Sequence, residues 1–320
     1  MQAVGWLQTL SWVVVVTSLC GCAGHVAPLI PPLERVELTN VPFVPQTTDQ
    51  CGPAALSMVL SHSGAQVDIE DLRRQVHLPD RQGSLQLELV AAARQYERIA
   101  YAFESQPDDL FGLLDDDLPV IVLQNLGVKW LPIWHYAVVV GYEPETDQLV
   151  MRSGKSERKL MRRSEFVNRW SASNYWGLVV LTPGNIPTSV QPWPYLQAVS
   201  GNEALGQSDI ARVAYEAATE RWSENAFTHL GLGNVHLGLG AFDQAIHAYQ
   251  AALRLDSANF AALNNLAYTY AANGEKFRAL EMAERALSEF SPNEQAVTDL
   301  LAFKKELAEE LHPPNRLFVR

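Results

Sequence analysis

Cys51 stands in the run Val41-Pro-Phe-Val-Pro-Gln46-Thr-Thr-Asp-Gln-Cys51-Gly52-Pro53-Ala-Ala-Leu56. A cysteine followed by Gly-Pro and an apolar helical run is placed at a helix N-terminus, where backbone N–H groups and the helix dipole favour thiolate over thiol. The thiolate is the form that attacks a carbonyl carbon. Such a nucleophile needs a base and donors for the oxyanion it creates. Three histidines lie within residues 41–183. His62 is at the far end of the helix that Cys51 begins, about 16 Å along its axis, out of reach. His77 falls in a polar segment and reads as a surface residue. His135 heads the apolar run Tyr136-Ala-Val-Val-Val140, and a strand end is a rigid place from which to present an imidazole poised near neutral pH. Gln46, in an extended Pro-flanked stretch five residues before Cys51, has an amide N–H to set beside the Cys51 backbone N–H for an oxyanion. Each residue alone has a bland reading: a buried inert thiol, a satisfied core histidine, a solvated glutamine.

The elements that must position these residues are mixed. The spacing predicts a helix from just after Cys51 to near Gly64, with Ala54, Ala55, Met58 and Val59 as its apolar stripe, and a second from about Leu85 to Tyr96. Strands are predicted at Pro119–Gln124, Tyr136–Tyr142, Gln148–Arg152 and Gly177–Leu181, with Glu143-Pro-Glu-Thr-Asp147 as a hairpin turn. Residues 41–183 thus read as an α+β domain, helical first and antiparallel sheet second.

Gln46-x4-Cys51-Gly52-Pro53-Ala54-Ala55-Leu56, followed by His135-Tyr136-Ala-Val-Val-Val-Gly-Tyr142, resembles the bacteriocin-processing, double-glycine-leader peptidases and their papain-like relatives. The resemblance implies a papain-like fold and thiol peptidase activity on a protein or peptide substrate, with Cys51 as nucleophile, His135 as base and Gln46 as oxyanion donor. In that family an Asp, usually followed by Pro, ends the strand after the hairpin and holds the histidine ring. Here the stretch is Val150-Met-Arg-Ser153-Gly154 and contains no acid. Asp147 lies in the turn, about 25 Å from His135 by strand length. Ser153 is the candidate to accept a hydrogen bond from the ring, though a neutral hydroxyl stabilises imidazolium less than a carboxylate does. Two readings follow: a Cys–His peptidase with a weak orienting partner, or a peptide-binding scaffold that has lost catalysis. Acyl transfer from the same thioester, as transpeptidation or deamidation, is a third class.

The front of the chain reads as a targeting segment. Trp12–Leu19 is a short apolar core, well short of the 20 or so residues of a membrane span. Leu19-Cys20-Gly21-Cys22 resembles a bacterial lipobox, which implies cleavage before Cys22, acylation of Cys22 and attachment to a membrane through that lipid. Ala23 after the acylated position points to the outer membrane of a diderm cell, with the protein facing the periplasm. Cys20 leaves with the leader in residues 1–22, so no second thiol remains to form a disulfide with Cys51 in an oxidising compartment. Residues 23–40 read as a Pro-rich tether.

The formal charge of −12 argues against a sequence-independent nucleic-acid binder, which needs a basic footprint. One basic cluster stands out: Lys155, Arg158, Lys159, Arg162 and Arg163, read as a solvated helix face or as a contact for anionic lipid or an acidic substrate segment. Asp115-Asp-Asp117 reads as a solvated loop before a strand. No His-Glu-x-x-His helix, Cys-x-x-Cys pair or phosphate-cradling Gly loop is present, and no metal or organic cofactor is implied.

Residues 184–207 carry Pro187, Pro192 and Pro194 and read as a linker. Beyond it Gly240 and Gly274 are 34 residues apart, as are Ala245 and Ala279, and Ala252 and Ala286. This is the tetratricopeptide period with small residues at helix crossings. Ala211, Tyr215 and Ala218 fit the second helix of a degenerate upstream repeat, and Glu294–Leu311 a closing helix. Residues 208–311 are thus an all-α repeat domain whose concave surface suits a protein partner, and 312–320 a tail.

Overall fold

A computed structural model describes residues 34–46, 50–76, 83–104, 106–289 and 294–311. The lipobox-like segment with Cys20 and Cys22, His77 and the tail lie outside these residues. The elements run β1 (Val36–Glu37), α1 (Cys51–His62), α2 (Ile69–Val76), α3 (Gln86–Gln95), β2 (Ile99–Glu104), α4 (Asp109–Asp115), β3 (Val120–Asn125), β4 (Trp134–Glu143), β5 (Gln148–Ser153), β6 (Ser156–Arg162), α5 (Arg163–Trp170) and β7 (Trp176–Leu181). Helices follow: α6 (Pro192–Ala204), α7 (Ser208–Arg221), α8 (Ala226–Gly238), α9 (Phe242–Leu255), α10 (Phe260–Ala272), α11 (Lys276–Glu289) and α12 (Glu294–Leu311).

The seven strands form one antiparallel sheet in the order β2-β7-β3-β4-β5-β6, with β1 paired to β4. β4 is its spine. Its first half pairs β3, Gln124 facing His135, and its far end pairs β1, Val36 facing Tyr142. The ladder to β5 bulges between Val139 and Gly141. A Cβ at Gly141 would come within 2.3 Å of the Val36 carbonyl oxygen, so only glycine lets β1 close on the bulged strand. Helix α1 packs on β3, β4 and β7 with all residues from Cys51 to Leu60 buried.

Several expectations need correction. Residues 36–38 belong to the sheet, since Leu38 is buried and its N–H donates to the Val140 carbonyl at 2.7 Å, so the tether does not run to residue 40. The basic cluster is an edge strand and its turns, because every second side chain of β6 reaches solvent from the rim of the sheet. The acidic run is the end of α4. There Asp116 accepts hydrogen bonds from the Thr188 and Ser189 hydroxyls and from the Ser189 N–H at 2.7 Å, which clasps the start of the expected linker.

That linker is itself structured. Pro192 and Pro194 occupy the first turn of α6, where backbone N–H groups have no helical acceptor and proline costs nothing. Helix α6 lies against β2; Asn202 Nδ2 donates to the Arg98 carbonyl at 3.1 Å and Gln207 Nε2, at the following turn, to the Arg94 carbonyl at 2.8 Å. Helix α6 pairs with α7 as the first half of the degenerate repeat. The pairs α8/α9 and α10/α11 follow, closed by α12. Asn225 and Asn259 cap α8 and α10, each side chain accepting a backbone N–H at 3.0 Å.

Candidate active site

Gln46 is held by one residue on both sides. Its N–H donates to the Gly154 carbonyl at 2.9 Å, and its Oε1 accepts the Gly154 N–H at 2.7 Å. That fixes which way the amide points. Nε2 donates one proton to the Tyr136 carbonyl at 3.3 Å, which leaves its second N–H for another acceptor. Gly154 opens the two-residue β5–β6 turn at φ +60°, a conformation that primed hairpin turns require and glycine adopts without strain. The buried Arg152 supports the same segment by donating to the Val41 carbonyl at 3.3 Å.

His135 and Ser153 meet across the β4–β5 ladder. Val138 faces Arg152, so Ser153 falls opposite Ala137 and diagonal to His135 on the same face. His135 Nε2 lies 3.0 Å from Ser153 Oγ. The same alternation carries Met151 and its β6 partner Lys159 onto that face. Burial, and then the positive charge of Lys159, lower the His135 imidazolium from 6.5 to about 4. The ring is therefore neutral at neutral pH.

Cys51 is the first residue of α1 and is buried. A Cβ at Gly52 would come within 2.6 Å of Ser84 Oγ, so glycine after the cysteine is what lets the chain before α3 lie against the helix start. Tyr136, next to His135 along β4, donates from its hydroxyl to the Ser84 carbonyl at 3.3 Å. Burial foremost, then negative charge at Cys51 and at Glu88, raises the Tyr136 phenol far above its ordinary value, and the start of α1 and the Tyr136 hydroxyl share Ser84 as a neighbour. Gln46, His135 and Ser153 thus form one hydrogen-bonded neighbourhood, and Cys51 lies beside the adjoining residue of β4. His62 is elsewhere: its Nε2 sits 2.9 Å from the Asp117 carbonyl. So is Asp147, engaged by the Tyr142 hydroxyl at 2.8 Å and by Arg163 at 3.0 Å.

A cleft of about 410 Å³ opens on this neighbourhood, lined by Gln46, His135 and Gly154 together with Ile133, Trp134 and Lys155. Sequence reasoning missed Ser84, and it named Lys159 only within the basic cluster, not beside His135. Lys159 was hidden because β6 was read as helix; the pairing of Gly52 with Ser84 has no sequence signal beyond the glycine itself. Among the described residues no group of three or more His, Cys, Asp or Glu side chains is placed to hold a metal ion, and no helix is long and apolar enough to cross a membrane.

Residues 38–177 match the family model described as Peptidase_C39 like family, and residues 233–274 match a TPR repeat model. Among curated proteins none matches the sequence significantly. Solved structures similar to this chain include a double glycine motif protease from an AMS/PCAT transporter in complex with the leader peptide. It is 23% identical, over 47% of this chain and 96% of that one, with a TM-score of 0.37. The peptidase domain of Streptococcus ComA, a bi-functional ABC transporter involved in quorum sensing, is 27% identical over 44% of this chain and 98% of that one, TM-score 0.36. The Yersinia enterocolitica type III secretion translocator chaperone SycD is 17% identical over 36% and 82%, TM-score 0.35. The chain therefore carries a C39 peptidase-like domain followed by tetratricopeptide repeats.

Proposed function

We propose that this protein is a cysteine peptidase that forms a thioester on Cys51. His135 takes the thiol proton as the sulfur attacks the scissile carbonyl carbon, then gives it to the leaving amine; water hydrolyses the thioester with His135 as base again. The second Gln46 N–H and the Cys51 backbone N–H stabilise the oxyanion in both steps. Ser153 orients the ring. The observation that carries this reading is the His135 Nε2–Ser153 Oγ contact at 3.0 Å, which occupies one ring nitrogen and leaves Nδ1 for the thiol. The repeats recruit the protein substrate or a partner. In the same reading acylated Cys22 anchors the chain to the outer membrane, facing the periplasm; a diacylglyceryl mass on Cys22, lost in Cys22→Ser, tests the anchor.

A specific observation favours a second reading. Among the described residues no carboxylate pairs with His135, and Lys159 works against its protonation. A peptide-binding lipoprotein scaffold with lost or slow catalysis would have that electrostatics. Labelling the full chain with a peptide-aldehyde or epoxide probe separates the two. Under the peptidase reading the wild type labels, and both Cys51→Ala and His135→Ala abolish labelling. A folded wild type that takes no label leaves the scaffold.

A further inference from the structure

The cleft at His135 has walls of two chemistries. One is the β3–β4 connection, where Ile133 is 58% exposed and Trp134 48%. It continues outward through Leu131 to Trp130, the latter 83% exposed. Asn125 Oδ1 pins its base by accepting the Gly127 and Ile133 N–H groups, both at 2.9 Å. The other wall is cationic. Lys155, the second residue of the β5–β6 turn, lines the cleft together with His135. In a chain of formal charge −12, two arginines of the same basic cluster are engaged: Arg158 by Glu37 and Glu143, Arg163 by Asp147. Among the described residues, Lys155 and Lys159 have no ion-pair partner, and no residue lining the cleft is acidic.

We propose that this cleft selects an acidic–apolar peptide segment, with a substrate carboxylate received by the Lys155 ammonium and an adjacent apolar side chain laid against Ile133 and Trp134. The proposal deepens the peptidase reading and rests on it for the identity of the reacting site. Charge complementarity decides the occupant, because an unpaired ammonium in an otherwise acidic protein attracts an anion, and the apolar wall beside it offers a surface for the neighbouring side chain. A carboxylate seated there also offsets the charge of Lys159 near the imidazole, so the side chain that confers affinity also helps His135 accept a proton.

The test measures fluorescence anisotropy of labelled decapeptides on the full-length Cys51→Ala protein. The peptides are identical except for Glu, Gln or Lys beside a leucine. The Glu peptide is expected to bind about threefold tighter than the Gln peptide, the scale of one solvent-exposed ion pair. Lys155→Met should level the three and Lys155→Glu should reverse their order; Lys155 is exposed, so both variants keep the fold. Equal binding of the three peptides, or an order unchanged by Lys155→Glu, overturns the proposal. So does Lys155-dependent sedimentation with phosphatidylglycerol vesicles by a protein that binds no peptide, which would assign the surface to lipid. Wild type scored for cleavage of the same peptides distinguishes the two levels. Selective binding without cleavage removes the peptidase and keeps the selectivity, whereas cleavage indifferent to Glu does the reverse.

Discussion

In the sheet domain the largest fully buried side chains include Trp170, Phe166, Leu56 and Met58, while the helix crossings of the repeats are filled by Ala245, Ala252, Ala279 and Ala286, all fully buried. Where a large ring enters a repeat crossing, a glycine receives it: a Cβ at Gly233 would come within 2.5 Å of the Tyr249 ring. The range of contact differs too. The sheet joins Val36 to Tyr142 and Ile99 to Leu181, and the repeats join each helix mainly to its neighbours. A domain closed by distant pairings loses its parts together; a stack of neighbours can loosen one unit at a time. The site, suspended from β4, β5 and α1, belongs to the cooperative half.

The largest effect should come from the sheet side. Trp170 is fully buried and its indole N–H donates to the Trp176 carbonyl at 2.7 Å. Trp170→Ala should cost about 3–5 kcal/mol in denaturant unfolding and remove probe labelling with it. Labelling that survives would show the site to be independent of the sheet. Gly233→Val should cost about 1–3 kcal/mol by overpacking against Tyr249. That loss should appear as an early helical transition in circular dichroism with labelling intact, and a joint loss would erase the contrast between the halves.

A smaller effect is titratable. His135 is depressed to about 4 in the fold against 6.5 in the open chain, so between those values the unfolded state binds more protons. Its contribution is therefore complete above pH 6.5 and is lost as pH falls toward 4. It amounts to about 2 kcal/mol after allowing for the partial exposure of the ring. A pH series of urea midpoints in which His135→Gln is no flatter than wild type would contradict the burial. Ser153→Asp should raise the pH at which His135 protonates and speed labelling about tenfold, equivalent to about 1.4 kcal/mol; a slower variant would mean the hydroxyl is the better partner.

Sequence conveyed the two halves unequally. The repeats were readable because one signal recurs at 34 residues, and Cys51, His135 and Gln46 because together they match one family's motif although each alone has a bland reading. Helix α6 was not readable: its prolines look like breakers until the first turn is known to need no N–H donors. Strand β6, Ser-Glu-Arg-Lys-Leu-Met-Arg, reads as a charged surface of any kind, because an edge strand guards its open backbone with charge. Strand β2 is short and one-third alanine, and helix α4 is seven residues long with a central glycine; neither holds a period long enough to detect. Missing β6 is what concealed Lys159 and with it the neutral state of His135.

Helix α6 has a last consequence. Because Asn202 and Gln207 fasten it to the backbone carbonyls of Arg98 and Arg94, the first repeat grows directly out of the sheet domain, in one unit with the later ones. A polypeptide gripped by the repeats would then approach Cys51 from a fixed datum rather than at the end of a slack leash. Its local concentration at the cleft would depend on how many residues separate the gripped segment from the bond to be cut. Under the proposed peptidase function such a protein would measure its substrate like a ruler, and shortening or lengthening the substrate between those two points should shift or abolish the cut even when every contacting residue is kept.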